Sequence, residues 1–124
     1  MTSVRFDQMA LPTDVKDDAI ALVATYCATK VPAEQNDKIR IEYKVRGNTI
    51  TIYECRPPWR EDFGPDWTSR RICSMQWDRE TRRWTLYARD RNDRRLDYPF
   101  IDPGSSVMPL LRELESDPIC IFWG

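Results

Sequence analysis

The chain has 124 residues and no histidine, so the side chains it offers for chemistry are carboxylates, arginines and four thiols. Without histidine the commonest general base, the Ser-His and Cys-His nucleophile pairs and every imidazole metal site are excluded. Cys27, Cys55, Cys73 and Cys120 stand 28, 18 and 47 positions apart, which fits no zinc or redox spacing and no small disulfide framework. Cys27, Cys73 and Cys120 read as small core residues. Cys55 is expected to be the accessible thiol, its pKa lowered by the neighbouring Arg56, although a thiol without a histidine partner is a weak nucleophile.

The carboxylates Glu54, Glu61, Asp62 and Asp66 surround a run of proline and tryptophan. They supply the parts for a small enzyme that uses carboxylates and arginines, with or without a divalent metal, on a phosphorylated substrate. No spacing motif accompanies them, so no catalytic residue, metal ligand or cofactor is assigned. Glu54 is the oddest of the four because it falls on an apolar strand face. There a carboxylate needs a partner, and Arg56 or another arginine would neutralise it.

The arginines are the stronger signal. They account for 15 of the 19 basic residues, and charge is segregated along the chain. Residues 1–37 carry net −3, residues 38–95 net +6 and residues 96–124 net −4. A guanidinium suits bidentate contact with phosphates and stacking on aromatic rings, so the basic middle is an electrostatic footprint for an anionic partner.

The elements that position these groups follow from periodicity. After Pro12 and the cap candidate Thr13, acids at 14, 17 and 18 mark a first helical turn. Val15, Ala19, Leu22, Val23, Tyr26 and Cys27 then form one apolar stripe ending at Val31-Pro32. Residues 38–46 alternate with period two, Gly47-Asn48 turns the chain, and residues 49–55 return, with glycine placed for a type II′ hairpin. Ile39, Ile41, Tyr43, Val45, Ile50 and Ile52 share one face. A second hairpin joins residues 71–78 to 83–89 through a four-residue loop that sets Trp77 opposite Trp84, Met75 opposite Leu86 and Cys73 opposite Ala88. Residues 94–98 add a fifth strand, with Leu96 opposite Ala88 and Tyr98 opposite Leu86. Ser105 or Ser106 caps a second helix with Pro109 in its first turn. The apolar tail 119–124 is expected to form a short buried strand or to tuck against the helices. The expected fold is a single α+β domain: a five-stranded antiparallel meander, an N-terminal and a C-terminal helix on one face, and a short C-terminal strand.

Arg56-Pro-Pro-Trp-Arg60, Gly64-Pro-Asp-Trp67, Trp84-Thr-Leu-Tyr-Ala-Arg89 and the closing Ile121-Phe-Trp-Gly124 resemble a small bacterial family catalogued as a domain of unknown function. The resemblance covers roughly residues 38–124. It implies a bacterial origin and a self-contained domain, and it brings no catalytic or binding residues.

Two surfaces are candidates for function. The outer sheet face gathers Arg40, Lys44, Arg46, Arg83, Arg89 and Arg95 with Tyr53, Thr85 and Tyr87, where rings could stack bases and guanidinium groups hold phosphates. The same pattern, with Glu42 and Asp97 included, also describes an ordinary solvated face. The loop from Arg56 to Trp67, with Trp59 and Arg60, is either a recognition loop or a lid whose aromatic rings close the core. The leading expectation is a non-enzymatic binding or interaction module that uses Arg56, Trp59, Arg60, Tyr53, Arg83, Tyr87, Arg89 and Arg95 to bind nucleic acid, another phosphorylated ligand or a protein. A third reading is an adaptor whose free sheet edge pairs with a partner protein or with a second copy of the chain as a homodimer. The first ten residues lack a basic start followed by an apolar run, and no run of about 18 apolar residues occurs, so a cytoplasmic protein without membrane segments is expected.

Overall fold

The computed structural model describes residues 10–58, 60, 62 and 64–124. In chain order they form helix α1 (Thr13–Lys30), a short 3-10 turn (Ala33–Gln35), strands β1 (Arg40–Arg46), β2 (Thr49–Arg56), β3 (Thr68–Asp78), β4 (Arg83–Arg89) and β5 (Arg95–Asp97), and helix α2 (Met108–Ser116). The strands lie in the order in which they occur, each antiparallel to the next. No helix among the described residues is long and apolar enough to cross a membrane.

The first hairpin keeps the expected register, Val45 opposite Ile50 and Tyr43 opposite Ile52. Gly47 takes a positive φ of 59° while Asn48 does not, as a type II′ turn requires. The second hairpin pairs Trp77 with Trp84, Met75 with Leu86 and Cys73 with Ala88, and β5 sets Leu96 opposite Ala88. These side chains point to one face and, apart from the partly buried Leu96, are buried there with Ala19, Val23 and Cys27 of α1 and Leu110, Leu111 and Leu114 of α2. Both helices therefore cover one face of the sheet, each fully buried leucine stabilising the fold by roughly 1.5–3 kcal/mol relative to exposure.

The ladder departs from strict alternation at one point. Ile52 pairs with Cys73 but Tyr53 pairs with Arg71, so Ile72 has no partner on β2. Such a bulge turns two successive side chains to one side, and Ile72 and Cys73 are both buried. Alternation counted back from Cys73 would have sent Ile72 outward and Arg71 inward. The bulge reverses both.

The helix ends differ in detail from expectation. Pro12 and not Thr13 flanks α1, with no side-chain cap. At α2 the Ser106 hydroxyl accepts the Met108 N–H at 3.1 Å, and Pro109 occupies the first turn, where its missing N–H is harmless.

The short C-terminal strand does not form. Residues 117–124 are irregular and wrap around the Asp117 carboxylate, which accepts the backbone N–H groups of Ile121, Phe122, Trp123 and Gly124 at 2.8–3.3 Å. Amides that a strand would have paired along a ladder are satisfied instead by one side chain. The tail does tuck against the helices: Phe122 is buried, the Trp123 indole N–H donates to the Leu114 carbonyl at 3.0 Å, and Lys30 lies over the Trp123 ring.

Candidate anion-binding face

With both helices on one side, the other side of the sheet is free to carry polar groups. Arg40, Glu42, Lys44 and Arg46 of β1, Thr49, Thr51 and Tyr53 of β2, Thr85, Tyr87 and Arg89 of β4, and Arg95 and Asp97 of β5 alternate with the core residues and lie on it. The bulge adds Arg71. Cations thus outnumber acids on this surface.

The two tyrosines act as platforms for these cations. The Lys44 ammonium lies 5.0 Å and the Arg71 guanidinium 6.0 Å from the Tyr53 ring centroid. Arg95 lies over Tyr87 at 3.9 Å and donates to the Gln76 amide oxygen at 2.9 Å. Each such contact is worth about 0.5–1 kcal/mol at an exposed site and restricts where the charge can go.

Arg89 lies between them. Its Nη2 donates to the buried Ser74 hydroxyl at 3.1 Å and its Nη1 to the Asp93 carbonyl at 3.1 Å. The small Ser74 side chain, opposite Tyr87 and Thr51, leaves room for the guanidinium against the sheet. Its Nε is buried and has no hydrogen-bond partner among the described residues.

Arg71 reaches the same turn from β3, its Nη1 2.6 Å from the Asp93 carboxylate. Lys44, Tyr53, Arg70, Arg71, Arg89 and Arg91 line one open cleft of about 850 Å³ at this end of the sheet, with Asp90 and Asp93 as its acids. Cys120 and Ile121 of the tail close its other side.

The other expected site residues are not gathered here. Arg83 sits at the opposite end of β4, where its guanidinium donates to the Pro103 carbonyl at 3.4 Å. Arg56 points to the helix side of the sheet and, with Arg70, clamps Glu54 at 2.7 and 2.9 Å. Burial alone would raise the Glu54 pKa, but hydrogen bonds and charge from Arg70 and Arg56 outweigh it and hold the carboxyl below its ordinary value. Arg60 is engaged by Asp62 within the loop. Trp59, Glu61 and Phe63 lie outside the described residues, and with them the choice between contact loop and lid. Trp67 is half-buried beneath Arg40, 4.0 Å from its ring centroid.

The thiols exchange their expected roles. Cys55 is buried, its Sγ 3.5 Å from Glu42 Oε2, and burial, followed by the Glu42 charge, raises its pKa where Arg56 was expected to lower it. Cys120 is the exposed cysteine. No group of three or more cysteine, aspartate or glutamate side chains that could hold a metal ion occurs among the described residues.

Sequence reasoning placed Tyr53, Tyr87, Arg89 and Arg95 on the outer face, where the structure has them, and did not place Arg71 there. The signal for Arg71 was the adjacent apolar pair Ile72-Cys73, which a strictly alternating half-buried strand does not contain. No curated protein and no solved structure matches the chain. Over residues 11–124 it matches the sequence profile of the family described as a domain of unknown function (DUF3024), and the chain belongs to that family.

Proposed function

We propose that this domain is a non-enzymatic binding module whose outer sheet face takes the phosphate backbone of single-stranded nucleic acid. The observation that carries the reading is the convergence of Lys44, Arg71 and Arg89 around Tyr53 in one open cleft, with Arg95 held on Tyr87 alongside. Cations already positioned by rings lose little freedom when a phosphate arrives, and arginine forms two parallel bonds to it.

The same geometry argues for low sequence preference. Chain cations already occupy a face of each tyrosine ring, so those rings serve to hold charge more than to stack bases. Affinity then comes from phosphate contacts and falls steeply with salt. Three neutralised phosphates correspond to a slope of about −2 in log K against log salt for a single strand. The loop arginines Arg56 and Arg60 contribute less, because neither lines the cleft.

The test is fluorescence anisotropy of labelled single- and double-stranded DNA and RNA at low and near-physiological salt. Salt-dependent binding with similar affinity for unrelated sequences supports the reading. Absence of binding at low salt overturns it.

A further inference from the structure

Arg71 and Arg89 come from neighbouring strands and meet at one residue, Asp93: the first on its carboxylate at 2.6 Å, the second on its carbonyl at 3.1 Å. Asp93 is presented by a rigid turn. The Asp90 carboxylate accepts the N–H groups of Asn92 and Arg94 at 2.8 and 2.9 Å, and Asp93 N–H donates to the Asp90 carbonyl at 3.0 Å. Asp93 itself has φ of 61°, in the left-handed region that aspartate and asparagine tolerate better than other side chains. The turn therefore holds the Asp93 carboxylate against the mouth of a cleft that is also lined by Lys44 and Arg91.

An exposed ion pair of this kind is weak, and both partners here are about half exposed. A phosphate monoester carries up to two charges and three acceptor oxygens, against one charge and two oxygens for a carboxylate, and it matches the guanidinium fork as well.

From this geometry we infer that the cleft is a site for a terminal phosphate, in which Asp93 is the resident anion that the ligand displaces from Arg71. The inference rests on reading the outer face as an anion-binding surface and adds to it a preference for chain ends bearing a phosphate over internal phosphodiesters. Asp93 then acts as a built-in competitor that sets the threshold for binding.

The test compares one single-stranded oligonucleotide with a 5′-phosphate, a 3′-phosphate or neither, by anisotropy, on the full chain and on Asp93→Asn and Arg71→Ala. Asparagine keeps the left-handed turn and the carbonyl that Arg89 uses, and removes only the competing charge. A second readout is alkylation of Cys120, which lines the cleft, with and without inorganic phosphate.

The expected result is tighter binding of a phosphorylated end by about tenfold, as loss of a charge-assisted hydrogen bond would give. That advantage grows by about two- to fivefold in Asp93→Asn and vanishes in Arg71→Ala, and phosphate slows Cys120 alkylation. Equal affinity for all three oligonucleotides in the wild type and in Asp93→Asn overturns the terminal-phosphate site and leaves the face reading standing. If no oligonucleotide binds while phosphate still slows Cys120 alkylation in an Arg71-dependent way, the phosphate site stands and the nucleic-acid reading falls. Failure of both readouts overturns both.

Discussion

Tyr53 and Arg71 face each other across β2 and β3, and they do so because Ile72 is left without a partner in the ladder. One extra residue thus moves a guanidinium from the helix side of the sheet to the cation-bearing side and buries an isoleucine in its place. The composition of the candidate binding face depends on that bulge.

Ile72→Ala tests it. A residue that is 1% exposed leaves a cavity when truncated, and the expected loss of stability is about 2–4 kcal/mol by urea denaturation. Strict alternation would place Ile72 on the surface, where the same substitution changes stability by less than about 0.5 kcal/mol.

The Asp117 carboxylate organises the tail, so Asp117→Ala is expected to destabilise the fold by about 1–3 kcal/mol through the four amides it leaves without their acceptor. Deleting residues 122–124 is expected to be worse, because Phe122 is buried against Tyr98. Thermal melts of the two variants read both effects.

Acid sensitivity follows from the same carboxylate and from Glu54. Burial works to raise both pKa values, but the backbone amides at Asp117 and the two arginines at Glu54 outweigh it, and both folded-state values lie below the ordinary ones. The unfolded chain then binds more protons as pH falls below about 4, so the stabilisation is present above the unfolded pKa and is lost as pH drops through the folded values. A urea midpoint measured from pH 7 to pH 3 should decline, and Asp117→Asn should flatten part of that decline. An unchanged slope in that variant would contradict the assignment.

Thiol reactivity should be confined to one position. Cys27, Cys55 and Cys73 are buried with pKa values raised chiefly by burial, Cys27 to about 12, whereas Cys120 is exposed. Maleimide labelling of the native chain followed by peptide mapping should find Cys120 modified first. Early labelling of Cys55 would contradict the packing around Glu42.

Both helices, all five strands and the hairpin registers were legible, except that β5 ends at Asp97 and Tyr98 does not pair with Leu86, because short loops and period-two alternation leave few alternatives once a turn is placed. The pairing of Glu54 with Arg56 was legible for a related reason: a carboxylate on an apolar face demands a partner. What escaped was tertiary. Arg70 joins Glu54 only because β3 begins at Thr68, three residues earlier than the alternation suggested, directly after the Arg56–Trp67 loop. Cys55 is buried beside Glu42 of β1, which a charge count on neighbouring residues does not see. The tail reads as a strand by composition, and nothing local announces that Asp117 will collect its amides.

The most direct measurement compares binding of a labelled single-stranded oligonucleotide at low salt by the wild type, Arg89→Ala and Arg60→Ala, each checked for folding by circular dichroism. Arg89 lies in the cleft, whereas Arg60 is engaged by Asp62 in the loop. If the outer face is the binding surface, Arg89→Ala weakens binding by about tenfold and Arg60→Ala leaves it nearly unchanged. Equal binding by wild type and Arg89→Ala, or a larger loss in Arg60→Ala, would contradict it.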